Sequence, residues 1–223
     1  MSRVIEFPSF YGELGWEICS WIPKCRAEAE NYDKVICSSF KDMKPLYDFC
    51  EFKPHNVTRR SLDYPKYYRV KGKFKKYGDP LPKYDVLIHA RGIERKSSYN
   101  YKKWYEVVFG LEGLRVGFIG TYEDQCISKC ADERNISLDI LCDYLAGAKM
   151  CIGVSSGIMH LASHCGCPIV VWGYGTKKTY YNEPLRKRYE ETWNPFNSKV
   201  HYIEEDSLQP KPEVIINAVR NFV

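Results

Sequence analysis

One short segment carries two hydroxyl side chains, a glycine and a histidine in an order suited to anion binding. Ser155, Ser156, Gly157 and His160 directly follow the apolar run Cys151–Val154. An apolar strand that runs through hydroxyl residues and a glycine into a helix presents free N–H groups and the positive end of the helix dipole. The segment predicts an anion site that binds a phosphate group, with His160 as a further proton-bearing group. Alternatively, one serine only caps the helix and His160 packs against its surroundings.

A second segment combines glycines with carboxylates near the N-terminus. Gly12, Glu13, Gly15 and Glu17 lie in the loop and first helical turn after the predicted strand Val4–Phe7. Glycine lets the backbone approach a ligand closely, and the carboxyl ends of parallel strands line the cleft where such sheets bind substrates. We therefore expect one of these carboxylates to face that cleft. The structural alternative is an ordinary glycine turn with Glu17 as a first-turn helix acid.

Several cations follow two other predicted strands. Arg91, Arg95 and Lys96 come after the strand at 85–89, and Lys177 comes after the strand at 168–172. An arginine fork can grip a diphosphate through two parallel hydrogen bonds. The spacing predicts cations at the same sheet edge as the serines, with Arg91 as the first candidate. Alternatively, they are surface cations in loops.

The elements that would hold these residues alternate between strand and helix over the whole chain. This alternation predicts a doubly wound α/β fold with parallel sheets. We expect two Rossmann-like lobes, residues 1–82 and 83–223, separated by a proline-marked break. The predicted strands are 4–7, 34–37, 85–89, 114–119, 150–154, 168–172 and 200–203, and the predicted helices are 16–25, 41–49, 101–109, 122–130, 138–146, 157–165 and 212–222.

Composition fixes the broad class of protein. The chain has 223 residues, of which 44% are hydrophobic, and its 33 Lys+Arg against 28 Asp+Glu give a formal charge of +5. These values exclude global disorder. No run approaches the roughly 18 apolar residues that a membrane span needs, and the first residues do not resemble a signal peptide. We therefore expect a cytoplasmic protein without a membrane span, whose ten cysteines are reduced.

The positive charge is concentrated in one tyrosine-rich stretch. Residues 53–78 contain nine Lys/Arg and a single acid, interleaved with four tyrosines from position 64 onwards. Such a mixture can follow a phosphate backbone while the rings stack on bases, which keeps a nucleic-acid partner open as an alternative. The plainer interpretation is a solvated connecting segment.

Metal ligation has one candidate cluster. His160, His164, Cys165 and Cys167 are residue types that bind zinc. If the helix continues through Cys165, however, that thiol points away from the face with the two imidazoles, and Cys167 enters a buried strand. We therefore expect no metal and no other cofactor.

The segment Ile136–Gly173 resembles the nucleotide-sugar half of the heptosyltransferase-type glycosyltransferases. Residues 155–162 read Ser-Ser-Gly-Ile-Met-His-Leu-Ala where the family has Asp-Thr-Gly-x-x-His-Leu-Ala. The preceding Ser-Leu at 137–138, and the Gly-Cys-Pro at 166–168 with the apolar strand ending at Gly173, match the family's order and spacing. The resemblance implies a GT-B fold and a bound nucleotide-diphosphate sugar.

This resemblance also implies roles for individual residues. The family's Thr-Gly-x-x-His contacts the donor diphosphate, which here implies Ser156, Gly157 and His160, while Ser155 replaces the family's aspartate. The family carries a Gly-Asp after its first strand, with the acid as the proposed base. Glu17 or Glu13 could take that role here. The N-terminal lobe is shorter than the family's, so acceptor recognition does not transfer.

Together these observations predict an inverting, metal-independent glycosyltransferase that moves a hexosyl or heptosyl group to the hydroxyl of a glycan or other acceptor. No Asp-x-Asp triplet occurs in the sequence, which argues against the metal-dependent transferase architecture. Three alternatives remain: a nucleotide-binding module without activity, a transferase associated with nucleic acid, and a sugar-nucleotide epimerase of the same architecture.

Overall fold

The chain folds as two compact units, Met1–Lys75 and Lys76–Val223. The computed structural model describes residues 2–61, 76–92, 98–173, 185–194, 197–203 and 208–223. Residues 77–81 belong to the C-terminal unit because they bond to it: the N–H of Tyr77 donates to the His164 carbonyl (3.3 Å), and that of Leu81 donates to the Asp143 carbonyl (3.1 Å). In the part of the chain so described, none of the helices combines the length and the apolar character that crossing a bilayer requires.

The described part of the N-terminal unit is a parallel three-stranded sheet with one long helix. Strands β1 (Val4–Glu6), β2 (Lys34–Ser39) and β3 (Glu51–Pro54) lie in the order β1-β2-β3. Helix α1 follows β1 and consists of an α-helical turn (Leu14–Trp16), a π-helical turn (Glu17–Trp21) and an α-helix (Ile22–Ala29). A 3₁₀ helix, Lys41–Leu46, follows β2. Apolar residues in the middle of α1, among them Ile18 and Ile22, are buried.

The C-terminal unit has a six-stranded parallel sheet in the order β6-β5-β4-β7-β8-β9. Numbered from the start of this unit, the order is 3-2-1-4-5-6, which is the Rossmann order. The strands are β4 (Val86–His89), β5 (Val116–Gly120), β6 (Ala131–Arg134), β7 (Met150–Val154), β8 (Ile169–Trp172) and β9 (Val200–Tyr202). The helices are α2 (Tyr101–Gly110), α3 (Leu138–Gly147), α4 (Gly157–His164), α5 (Leu185–Arg188, continued by a π-helical turn, Tyr189–Trp193) and α6 (Pro212–Arg220).

The centre of this sheet is buried and, apart from His89 at the end of β4, built from apolar residues and glycine. All four residues of β4 and of β8 are buried, and all five of β7. One face is closed by Trp104 of α2, which has no exposed surface and makes edge-on contacts with Tyr99 (4.9 Å) and Phe118 (6.5 Å). Burial of such large rings holds α2 firmly on the sheet.

The predicted helix over 122–130 is wrong, because this segment forms turns. Its polar groups bond to the loop after β4 instead of to a helix of their own: the N–H of Gln125 donates to the Ala90 carbonyl (2.7 Å), and the Asp124 carboxylate accepts from the N–H of Gly92 (3.0 Å). The sequence analysis also missed the strands β3 and β6. Both are edge strands with exposed charged residues, which lack the apolar alternation of a half-buried strand.

We predict that Trp104→Ala destabilises the C-terminal unit by about 3–5 kcal/mol, because it leaves a large cavity between α2 and the sheet. The measurement is urea unfolding followed by far-UV circular dichroism. Phe109→Ala in the same helix is the matched control, since Phe109 is 69% exposed, and its effect should stay within about 0.5 kcal/mol. Equal losses in the two variants would contradict this assignment of the core.

Candidate active site

The C-terminal unit brings its candidate residues to the point where the strand order reverses. Strands β4 and β7 are neighbours at this switch point, and their register pairs His89 with Gly153. In open α/β sheets, ligands bind beyond the carboxyl ends of the strands at such a point. The residues found there are His89 at the end of β4 and the Ser-Ser-Gly run at 155–157 after β7.

The first turn of α4 lies at this edge and is accessible. Ser156 is the N-cap of α4 and has an extended backbone (φ −161°, ψ 171°). The first i→i−4 bond of the helix runs from the N–H of His160 to the Ser156 carbonyl (3.1 Å), so the N–H groups of residues 157–159 have no acceptor within their own helix. Residues 155–158 are half-buried. The predicted anion site is therefore open at its surface.

The side chain of Ser156 does not cap the helix but contacts His89, which in turn contacts Asp124. Its Oγ lies 2.9 Å from Nδ1 of His89, and Nε2 of the same ring lies 3.5 Å from Oδ2 of Asp124. Burial alone would raise the pKa of the Asp124 carboxyl, but the bond to His89 and the N–H groups of Thr121 and Gly92 outweigh it and hold that pKa at about 2. Asp124 is therefore ionised at neutral pH.

The turn at 121–125, which contains Asp124, also holds the loop that carries Arg91. The side-chain amide of Gln125 donates to the carbonyls of Arg91 (2.7 Å) and Tyr99 (2.9 Å). Gly92 approaches so closely that an added Cβ would lie 2.4 Å from the Glu123 carbonyl oxygen. Arg91 is half-buried and starts at the carboxyl edge of β4. The sequence analysis did not select Asp124 and Gln125 as site residues, although their place after β5 at the carboxyl edge was a usable signal.

His160 packs in an aromatic cluster and does not add charge to the site. Its ring stacks on Tyr189 (5.4 Å between centroids) and meets Trp193 edge-on (5.0 Å). Burial lowers the pKa of His160 to about 4, so the imidazole is neutral at pH 7. Tyr189 also reaches Ser155, since the two hydroxyl oxygens lie 3.2 Å apart. Through these contacts with His160 and Ser155, the cluster packs against the N-terminal half of α4.

The structure does not bring the candidate zinc ligands into a metal site. Within the described ranges, no group of three or more His, Cys, Asp or Glu side chains is arranged to hold a metal ion. All ten cysteines are free thiols, and seven of them are buried. The predicted cations Arg95 and Lys177, with Lys96, lie outside the described residues, as does most of the basic stretch, residues 62–75.

In the N-terminal unit, the loop after β1 is held by the segment after β3. Nη1 of Arg60 donates to the Gly12 carbonyl (3.0 Å), and the N–H of Ser61 donates to the Tyr11 carbonyl (2.7 Å). The ring of His55 stacks on Tyr11 (4.6 Å), and its Nε2 lies 2.9 Å from the Phe10 carbonyl oxygen. The loop with Gly12 and Glu13 therefore has a defined conformation at the carboxyl edge of its sheet.

Glu17 is a fully buried carboxylate with partners on both oxygens. The hydroxyls of Ser39 and Tyr47 (2.8 Å for the latter) donate to Oε1, and Arg60 donates to Oε2 (2.6 Å). Burial raises the pKa of Glu17, and the charge of Arg60 together with the donated hydrogen bonds only partly offsets this. None of the residue's surface is exposed, so an acceptor hydroxyl could not reach this carboxylate without opening the network.

Glu13 differs from Glu17 in that it reaches solvent. It is the N-cap of α1, with an extended backbone (φ −64°, ψ 144°), and its side chain is exposed. Its carbonyl accepts from the N–H of Glu17 (3.1 Å), which begins the helix. Gly15, between the two carboxylates, is half-buried within the first turn. Of the two candidate bases, Glu13 is the one that a substrate can contact in this conformation.

We predict that the buried Glu17 carboxylate makes the stability of the protein depend on pH. Because its folded pKa lies above the unfolded value, its contribution to the free energy of unfolding is fully present below pH 4.5 and is lost as pH rises through the raised pKa. The free energy of unfolding of the wild type minus that of Glu17→Gln should therefore become smaller or more negative from pH 4.5 to 8, as measured by urea denaturation. A difference that grows with pH would show that the ion pair with Arg60 outweighs burial.

Comparison with solved structures shows which fold this is. The chain is similar to the family 9 glycosyltransferase of Veillonella parvula (11% identity, 99% of this chain and 97% of that one, TM-score 0.65). It is also similar to the Escherichia coli heptosyltransferase WaaC, solved with ADP (11% identity, 99% and 100%, TM-score 0.57). A third similar structure is TibC from enterotoxigenic E. coli, described as an iron-containing dodecameric glycosyltransferase (14% identity, 99% and 75%, TM-score 0.60).

TibC has also been solved in complex with ADP-D-β-D-heptose. No protein-family model and no curated protein matches the chain. The structural matches extend over nearly all of this chain at 11–14% identity. They show that the chain has the fold of these enzymes: α/β units with parallel, Rossmann-like sheets, of the GT-B class.

Proposed function

We propose that this protein is a glycosyltransferase that moves a sugar from a nucleotide-diphosphate sugar to an acceptor hydroxyl, without a metal and with inversion at the anomeric carbon. One observation carries the proposal: the half-exposed first turn of α4 lies at the switch point of the C-terminal sheet. This placement occurs in a fold shared with enzymes that were solved with ADP and with ADP-heptose.

The donor diphosphate would bind to the C-terminal unit. The N–H groups of residues 157–159 and the positive end of the α4 dipole attract its oxygens. The hydroxyl of Ser156 is a further hydrogen-bond donor. Arg91 supplies positive charge from the next strand end. Arg95 and Lys177, at the corresponding loops, remain expected contributors. His160 takes part as a neutral group that supports the turn from behind.

The reaction needs a base for the acceptor and a sink for the charge of the leaving group. As the acceptor oxygen forms its bond to the anomeric carbon, the bond from that carbon to the phosphate oxygen breaks, and the base takes the acceptor's proton. The nucleoside diphosphate leaves with the bonding electron pair, and the donors of the α4 turn stabilise its growing charge. Neither step requires a metal ion.

We assign the base to Glu13 and a positioning role to Glu17. Glu13 is exposed, whereas Glu17 has all its surface buried and both oxygens bonded. Through Arg60, the Glu17 carboxylate reaches the Gly12 carbonyl, next to Glu13. A glycan or another molecule with a free hydroxyl is the expected acceptor, and the sugar and the nucleotide remain to be identified by experiment.

Donor binding is tested by thermal unfolding with UDP-glucose, GDP-mannose, ADP-glucose and CMP-sialic acid. At least one diphosphate sugar should raise Tm in proportion to occupancy, while CMP-sialic acid, with its single phosphate, should not. Ser156→Ala should weaken that binding about tenfold. Ser137→Ala is the matched control, because Ser137 is the N-cap of α3 in the same unit. If no diphosphate sugar raises Tm, the proposed function is wrong.

Turnover separates the two carboxylates. Glu13→Gln should lower kcat about 10²–10⁴-fold and leave the donor Kd unchanged, since it removes only the base. Glu17→Gln, which can still accept from Ser39 and Tyr47 but loses the ion pair with Arg60, should lower kcat much less than Glu13→Gln does. Glu30→Gln, at the exposed C-cap of α1, is the control. Loss of turnover in Glu17→Gln together with full activity in Glu13→Gln would reverse the assignment.

A further inference from the structure

Asp124 contacts His89, and His89 contacts Ser156. The proposed reaction gives His89 and Asp124 no role. These contacts lie at the switch point of the C-terminal sheet. Ser156 is also the N-cap of α4, the helix whose first turn would bind the donor diphosphate. His89 is 5% exposed and its two ring nitrogens face different partners. A buried imidazole between a carboxylate and a hydroxyl can exist in two protonation states that hold the hydroxyl differently.

The protonation state of His89 determines whether the Ser156 hydroxyl donates its hydrogen bond to the ring or to a ligand. In the neutral ring, Nε2–H points to Asp124, and Nδ1 accepts the hydroxyl proton of Ser156. The oxygen of that serine then presents only lone pairs to an anion. In the imidazolium, Nδ1–H donates to Ser156 Oγ instead. The hydroxyl proton is then released to donate to a phosphate oxygen.

The surroundings of His89 fit an imidazolium at this position. Asp124, from the loop after β5, and Ser156, from α4, each pair with one nitrogen of the ring. On the two neighbouring strands, glycines make room for it: a Cβ at Gly120 would lie 3.1 Å from His89 Cδ2, and one at Gly153 would lie 3.4 Å from His89 Cβ. These glycines add no charge.

The Arg134 side chain, near this cluster, is held by groups other than the imidazole. Arg134 donates to the main-chain oxygen of Asp124 (2.6 Å) and forms an ion pair with Asp132 (2.7 Å). Arg91 lies two residues after His89 in the chain, and the neighbouring Glu123 brings an acidic side chain on the loop after β5. The ionised carboxylate of Asp124 is a charged group that pairs directly with the imidazole, with 3.5 Å between Oδ2 and Nε2.

We propose that His89 is a proton-coupled positioning residue of the donor site. Binding of a nucleotide-diphosphate sugar is accompanied by the uptake of one proton by His89, and this turns the Ser156 hydroxyl from a donor to His89 into a donor to a phosphate oxygen. The inference rests on the proposed function, since it needs the diphosphate at the first turn of α4. By linkage, binding and protonation strengthen each other by the same factor.

Calorimetry tests the coupling directly. The probe is whichever of UDP-glucose, GDP-mannose and ADP-glucose binds most tightly, because their diphosphate diesters do not titrate between pH 5.5 and 8.5. Titrations in buffers with different ionisation enthalpies give the number of protons taken up. The wild type should take up close to one proton at the alkaline end of this pH range. Its Kd should rise there by up to about tenfold per pH unit.

Variants separate the coupling from a structural role. His89→Asn places an amide donor near the position of Nδ1, so the sugar should still bind, with no proton uptake and a Kd that is flat with pH. Asp124→Asn should move the uptake to lower pH, because it removes the carboxylate that stabilises the imidazolium. His201→Asn, on β9 of the same unit, should keep the wild-type proton uptake.

Two results would overturn the proposal while leaving the function intact: binding by the wild type with no proton uptake over the whole pH range, or unchanged uptake in His89→Asn. If none of the three sugars binds to the wild type, the proposed function itself fails, and the role of His89 fails with it. The two failures are therefore distinguishable in one set of titrations.

Discussion

The first turn of α4 carries main-chain N–H groups that the helix itself cannot satisfy. Its first two residues, Gly157 and Ile158, are half-buried, whereas Met159 is buried. The requirement that polar backbone groups find partners gives this turn its capacity to bind an anion. The rest of the unit fixes its position. The buried strands β4 and β7 set the sheet edge, the Tyr189 and Trp193 rings support the helix from behind, and the turn at 121–125 holds the loop after β4.

The N-terminal unit depends on a different constraint, the burial of a carboxylate. Removing Glu17 from water is unfavourable, and two hydroxyls and the Arg60 guanidinium compensate by filling its hydrogen-bonding capacity. Removing a partner from such a network costs more than the network contributes in the intact protein. The same arginine lies over the ring of Phe40 (4.1 Å) and bonds to Gly12. The burial of Glu17 therefore fixes the loop on which Glu13 lies.

Much of the fold and part of the site could be predicted from the sequence, because they depend on local patterns. The apolar runs at 150–154 and 168–172 predict buried parallel strands, and the Ser-Ser-Gly run after the first of them predicts the N-terminus of a helix. Both are found. Glu17 was selected from its spacing to glycine, but its burial depends on Ser39, Tyr47 and Arg60, which are distant in the sequence. The contact of His89 with Asp124 and Ser156 is likewise created only by the order of the strands. The wrong helix at 122–130 has the same origin, since Asp124 and Gln125 bond to another loop instead of to their own segment.

The most direct test of the account is to observe the amides of the first turn of α4 while a nucleotide sugar binds. In ¹⁵N-labelled protein titrated with UDP-glucose, GDP-mannose or ADP-glucose, two-dimensional NMR follows each main-chain N–H separately. The account predicts that the largest shifts fall on Gly157, Ile158 and Met159, because a phosphate oxygen becomes their hydrogen-bond acceptor. Binding that leaves these three resonances unchanged, with the shifts at another part of the chain, would contradict it.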